Sequence, residues 1–198
     1  MDKNQGLIEV AKSITPKIRY LKKLLSEGAD INYKTKENGC TPLMLAVKGK
    51  HDRIADYLLR QGADPLIRNH ENKIASEIVK STDTIYPVLK DFELIFAVLN
   101  NDLLTAEAVI QSGALINFRD VNGYTSLMHA IENNFEEMVK LLLLKGADPA
   151  LRLENGQSMF NLSDNQTIHI ELENALSWAK GPSPTKEKKI HCFFTNHF

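Results

Sequence analysis

Histidine and cysteine are the residues of this sequence best able to do chemistry at neutral pH. There are six histidines, His51, His70, His129, His169, His191 and His197, and two cysteines, Cys40 and Cys192. A general base would need a histidine oriented by a carboxylate. One sequence-local pairing of that kind sets His129 beside Glu132 at i+3, a spacing that more often gives a surface contact. His191, Cys192 and His197 could offer soft metal ligands, but three ligands within one short terminal segment make a poor site. Two distant cysteines form neither a disulfide framework nor a zinc quartet, and they point to a reducing compartment. None of the GxSxG, Walker A, HExxH or GxGxxG motifs is present. These residues therefore predict a protein without catalytic residues, cofactor or metal.

Charge and hydropathy narrow the class further. The 198 residues carry a formal net charge of −1, and 43% of them are hydrophobic, as expected of a folded chain with an ordinary core. The charge is unevenly spread. Residues 1–90 hold 16 basic and 11 acidic groups, whereas residues 91–180 hold 5 basic and 13 acidic groups. Such asymmetry can orient a partner. Lys17, Arg19, Lys22 and Lys23, with Tyr20 among them, form a basic helix face, but Leu21, Leu24 and Leu25 explain that helix as a core element. No nucleic acid partner is expected. No run reaches the roughly 18 to 20 apolar residues of a membrane helix, and the N-terminus has no apolar leader segment. A monomer in the cytoplasm, away from membranes, is expected.

The elements that position these residues are read from internal repetition. Residues 39–65 and 123–149 align at a constant offset of 84. Gly39, Thr41, Leu43, Met44, Ala46, Leu58, Leu59, Gly62, Ala63, Asp64 and Pro65 recur in the second segment. A finer period brings Gly-Ala-Asp at 28–30 back 34 residues later at 62–64, and Gly-Ala at 113–114 back 33 residues later at 146–147. Each unit reads as a threonine cap, a short helix, a second helix and a glycine stop. Thr41 suits an N-cap with Pro42 in the first turn. Leu43, Ala46 and Val47 share one face, and Gly62 supplies the left-handed residue that ends the second helix.

TPLMLAV, LLRQGADP and LLLLKGADP resemble the ankyrin repeat, with Met44 and Met128 where that family usually has histidine. The resemblance extends over about residues 5–178 in six units. It implies an all-α solenoid of helix-turn-helix units joined by extended finger turns. Units 1–3 (residues 1–90) echo units 4–6 (residues 91–180), and Gly181 opens a flexible tail, 181–198. Units 3 and 6 have weak first helices. Unit 4 is expected to start directly with a helix at Phe92, so that the finger near 89–93 is missing and the spacing of the halves alters there.

The resemblance implies binding of a partner protein through the fingers and the concave face of the first helices. Finger positions are Glu37, Asn38 and Cys40 in unit 2, and Glu71, Asn72 and Ile74 in unit 3. They are Val121, Asn122 and Tyr124 in unit 5, and Glu154, Asn155 and Gln157 in unit 6. The concave helix positions are Lys48 and Lys50, then His129, Glu132 and Asn133. Tyr33, Phe118 and Tyr124 are the expected aromatic anchors. The segment around Asn32 is similar to ankyrin segments that asparagine hydroxylases modify, which makes Asn32 a candidate modification site. Short degenerate ankyrin proteins also resemble exported bacterial effectors. On that alternative the tail is an export signal and the location is the host cytosol.

Overall fold

The apolar periods of the sequence become antiparallel helix pairs in the computed structural model, which describes residues 2–13 and 18–180. The helices are α1 (Lys3–Lys12), α2 (Ile18–Ser26), α3 (Pro42–Lys48), α4 (Asp52–Arg60), α5 (Ile85–Leu99), α6 (Leu103–Gln111), α7 (Ser126–Glu132), α8 (Glu136–Leu144) and α9 (Gln166–Lys180). Two 3₁₀ turns, Ala75–Glu77 and Met159–Leu162, stand in place of the first helices of units 3 and 6. The described residues contain no strand, only an isolated antiparallel bridge between Arg152 and Ser158. The fold is an all-α solenoid. The tail 181–198, with Cys192, His191 and His197, lies outside the described residues, as does Lys17.

The repeated residues start and stop the helices. Thr41 Oγ1 accepts the Met44 N–H at 3.3 Å, and Thr125 Oγ1 accepts that of Met128 at 3.3 Å, so each satisfies a donor that the first helical turn leaves open. At the other end Gly62 (φ +90°) and Gly146 (φ +98°) turn left-handed. That turn lets the next residue close back on the helix: Ala63 N–H reaches Leu58 O and Ala147 N–H reaches Leu142 O, both at 2.9 Å. The alanine is small because it is buried there, in Ala63 as in Ala147.

The first helices and the two 3₁₀ turns form an inner layer, and the second helices form an outer one. α5 belongs to both. Its helix begins at Ile85, not at Phe92 as the repeat phase suggested, because nothing from Lys90 to Phe92 stops a helix. Its N-terminal half is the second helix of unit 3, and its C-terminal half is the first helix of unit 4. It packs on α4, α6, α7 and the 75–77 turn. The missing finger near 89–93 is therefore replaced by continuous helix.

Two apolar clusters divide along α5. One runs from Leu7 to Phe92, the other from Leu94 to Leu172. They interlock at the joint: Phe118 packs on the first cluster, edge to face with Phe92 at 5.2 Å, while Leu66 packs on the second.

Candidate protein-docking surface

Among the described residues, four finger turns leave the inner layer, each closed by a short polar side chain. In the first, Thr35 Oγ1 and Asn38 Oδ1 both accept the Cys40 N–H at 3.0 Å. In the second, Asn69 Oδ1 accepts the N–H groups of Glu71 at 2.9 Å and Lys73 at 3.0 Å. Asp120 does the same for Asn122 at 2.8 Å and Tyr124 at 3.0 Å, and Asn155 accepts Gln157 N–H at 3.0 Å. Asn and Asp favour such turns because the side chain accepts the N–H two residues on.

The fingers also hold one another. His70 N–H donates to Asn38 O at 3.0 Å, and Lys34 Nζ donates to Arg68 O at 2.8 Å. Arg119 Nη2 donates to Arg152 O at 2.7 Å. The His70 ring lies so close over Gly39 that a Cβ there would sit 2.5 Å from it, and the Glu154 side chain covers Gly123 in the same way at 2.7 Å. The surface is thereby largely pre-organised.

The structure sorts the sequence-based candidates into three groups. Glu37, Asn38, Glu71, Asn72, Val121, Asn122, Glu154 and Asn155 are exposed at the tips, and Lys48, Lys50, Glu132 and Asn133 are exposed along α3, α7 and the turns that follow them. At one place Lys73 Nζ sits 2.9 Å from Glu71 Oε2. That hydrogen bond and charge, with a smaller effect of Lys48, hold the Glu71 carboxyl below its usual range. At the other end of the surface Tyr124, His129 and Glu132 come together with Asp120.

Cys40 requires correction. It is buried, with Asn69 Nδ2 3.9 Å from its Sγ, and its side chain offers nothing to a partner. Ile74 is buried as well. Tyr33 and Phe118 are half-buried and pack on the first apolar cluster. Asn32 is half-buried too, and its side chain bonds the next finger.

His129 also has a different partner from the one its spacing suggested. Its Nε2 lies 2.8 Å from Asp120 Oδ2, both side chains being nearly buried, and its ring packs on Tyr124 at 5.1 Å. Glu132 receives the Tyr124 hydroxyl at 3.4 Å instead. Burial pushes the Asp120 carboxyl up, but the His129 hydrogen bond, the Tyr124 and Asn122 N–H groups and the His129 charge together hold it below the usual carboxylate range. Burial, then the Glu132 charge and hydrogen bond, raise the Tyr124 phenol. Sequence reasoning passed over Asp120. Its signal was the Asx-turn pattern it shares with Asn69, each two residues before the Asn122 or Glu71 N–H it accepts.

The remaining described histidines close structural contacts. His51 Nε2 is 3.3 Å from Lys12 O, and His169 Nε2 is 2.6 Å from Ser163 O. Among the described residues no group of His, Cys, Asp or Glu is arranged to hold a metal ion, and no helix is long and apolar enough to cross a membrane.

Comparison with known proteins accords with this geometry. The ankyrin repeat model matches residues 38–70, and the model for three consecutive ankyrin repeats matches residues 67–153. The chain is similar to palmitoyltransferase AKR1 of Lachancea kluyveri, at 25% identity over 83% of this chain and 25% of that protein. It is 41% identical to human 2-5A-dependent ribonuclease over 35% of this chain and 10% of that protein. A putative ankyrin repeat protein of Rickettsia felis is 30% identical over 60% of this chain and 48% of its own length. The chain thus spans a quarter or less of the first two relatives and about half of the third. With the capped helix pairs, the Gly-Ala closures, the stacked fingers and these matches in register, the chain belongs to the ankyrin-repeat family.

Proposed function

We propose that this protein is a non-catalytic module that docks a partner protein across its finger tips and the inner helices α3 and α7. Ankyrin repeats are in general protein-interaction modules, and the finer assignment rests on one observation. The tips expose Glu37, Glu71, Val121 and Glu154 on turns already fixed by hydrogen bonds within and between fingers. A surface ordered before contact spends little of its interaction energy on immobilisation.

The test is affinity capture with a tip variant carrying Glu37→Lys, Glu71→Lys, Val121→Asp and Glu154→Lys. An outer-layer variant, Lys23→Glu with Glu137→Lys, serves as control. Wild type and the outer-layer variant should retain the same partner, and the tip variant should bind it at least about tenfold more weakly, a loss of about 1.4 kcal/mol. Retention by the tip variant with loss by the outer-layer variant would move the docking surface to the outer helices.

The bacterial relative favours a second reading, an exported effector acting on a host protein with residues 181–198 as its export signal. Removing those residues should then abolish export and leave partner affinity unchanged.

A further inference from the structure

Neighbouring repeats are tied by a recurring hydrogen bond from a backbone N–H to a side-chain oxygen in the repeat before it. Asn4 Oδ1 accepts the Asp30 N–H at 2.8 Å, Asn32 Oδ1 that of Asp64 at 2.9 Å, and Asn117 Oδ1 that of Asp148 at 3.0 Å. Each of these acceptors is a neutral amide. At the joint, where α5 replaces a finger, the same bond is made by a carboxyl group: Asp91 Oδ1 accepts the Leu115 N–H at 2.7 Å. Asp91 is only 5% exposed.

Among the described residues, no charged side chain on α5 or on the elements packed against it is bonded to Asp91. On α5 itself, Lys90 Nζ lies 2.7 Å from Glu93 Oε2 and 3.1 Å from Ser76 Oγ, over the Tyr86 ring. Glu93 is fully buried, and its Oε1 has no hydrogen-bond partner among the described residues. Two carboxyl groups and one ammonium are thus enclosed within four residues. On the 75–77 turn Glu77 pairs with Arg68 at 3.4 Å, and on α4 Asp56 pairs with Arg60 at 3.0 Å. On α6 Glu107 pairs with Lys145 at 2.6 Å, while Asp102 caps its own helix. On α7 His129 pairs with Asp120 and Glu132 accepts from Tyr124. In the adjoining finger Arg119 donates to the Gly123 and Arg152 carbonyls. Burial is the leading influence on the Asp91 carboxyl and raises it above the usual range, with the Leu115 N–H a smaller opposing one.

We propose that Asp91 makes the joint between repeats 1–3 and repeats 4–6 proton-linked, its protonation tightening the docking of one half on the other. The sign follows from linkage. A carboxyl group raised above its unfolded value burdens the fold while ionised, and the burden lifts as pH falls through the folded value. The neutral acid still accepts the Leu115 N–H through its carbonyl oxygen, so the bond survives while the buried charge is removed. Phe118 of the later half packs on the first apolar cluster and Leu66 of the earlier half on the second, so the joint lies between the fingers that carry them.

The test compares native-state hydrogen exchange of the α5–α6 amides and of the Leu115 N–H at pH 7 and at about pH 4, close to the ordinary aspartate value, corrected for intrinsic rates, in wild type and Asp91→Asn. Asn is the residue at the three other acceptor positions. Wild type should gain about twofold or more in protection at about pH 4 relative to the variant, and the variant should be the better protected at pH 7. Equal pH dependence in the two proteins, or weaker protection of the variant at pH 7, would overturn the proposal. A carbon-13 titration of the Asp91 carboxyl in wild type decides independently of how the variant folds. A midpoint above that of aspartate in the unfolded chain supports the proposal, and one at or below it overturns it.

Discussion

The side-chain oxygen of Asn32 accepts the backbone N–H of Asp64, 32 residues ahead, at 2.9 Å. The bond crosses from one finger to the next and satisfies a partly buried donor. Asn32→Ala would strand that N–H, which costs about 1–3 kcal/mol. Asn32→Asp keeps the acceptor and should cost less. Chemical denaturation of both variants checks the order. If alanine and aspartate are equally destabilising, the acceptor is not what Asn32 supplies.

Leu142 is fully buried on α8, whereas Tyr124 is half-exposed beside Glu132. Leu142→Ala should open a cavity and cost about 2–5 kcal/mol. Tyr124→Ala should cost clearly less and show its effect in partner affinity. Melting curves of the two variants settle which residue belongs to the core.

The turn from α3 to α4 places Lys50 at φ +58°, and the corresponding turns place Asn101 at +52° and Asn134 at +57°. Asparagine adopts this left-handed conformation more readily than lysine, for which it carries a backbone cost. The exposed Lys50–Asp83 pair at 3.8 Å contributes little in return. Lys50→Asn should therefore stabilise the protein by up to about 1 kcal/mol, read as a small rise in Tm. A fall in Tm would show that the charge of Lys50 outweighs its backbone strain.

Acid should find the Asp120–His129 contact. The Asp120 carboxyl is held below its usual range, so its contribution is fully present above the unfolded aspartate value of about 3.9. It is lost as pH falls through the lower folded value. Asp120→Asn should be less stable than wild type at neutral pH, and the difference should close below about pH 4. Thermal melts from pH 2 to 7 test this. A gap of constant size would remove Asp120 as its source.

The well-formed repeats were legible because their signals are local. Thr41 and Thr125 cap, Gly62 and Gly146 stop, and the 84-residue offset carries one assignment to the other. The start of α5 was not legible, because the repeat phase implies a break near residue 90, whereas helix propagation responds only to stop signals, and none stands there. The finger tips followed from the repeat alignment. Burial of Cys40 and the packing of Tyr33 and Phe118 did not, since each depends on a neighbour distant in sequence, such as Asn69 or Phe92. His129 was matched to Glu132 by helical spacing, but the hydrogen bond goes to a finger residue that helical geometry does not reach.

The shared helix α5 makes the molecule sensitive to length where no turn can absorb an added residue. A residue added at a finger tip loops into solvent and leaves the repeats on either side in place. A residue added inside 85–99 has no such outlet. It would turn everything that follows by about 100° and carry it forward by about 1.5 Å along the helix axis. α5 therefore works as a keyed shaft between two drums. Its residue count sets the angle at which the later fingers face the earlier ones, and a lineage that changed that count would re-aim the later fingers without altering a single residue on them.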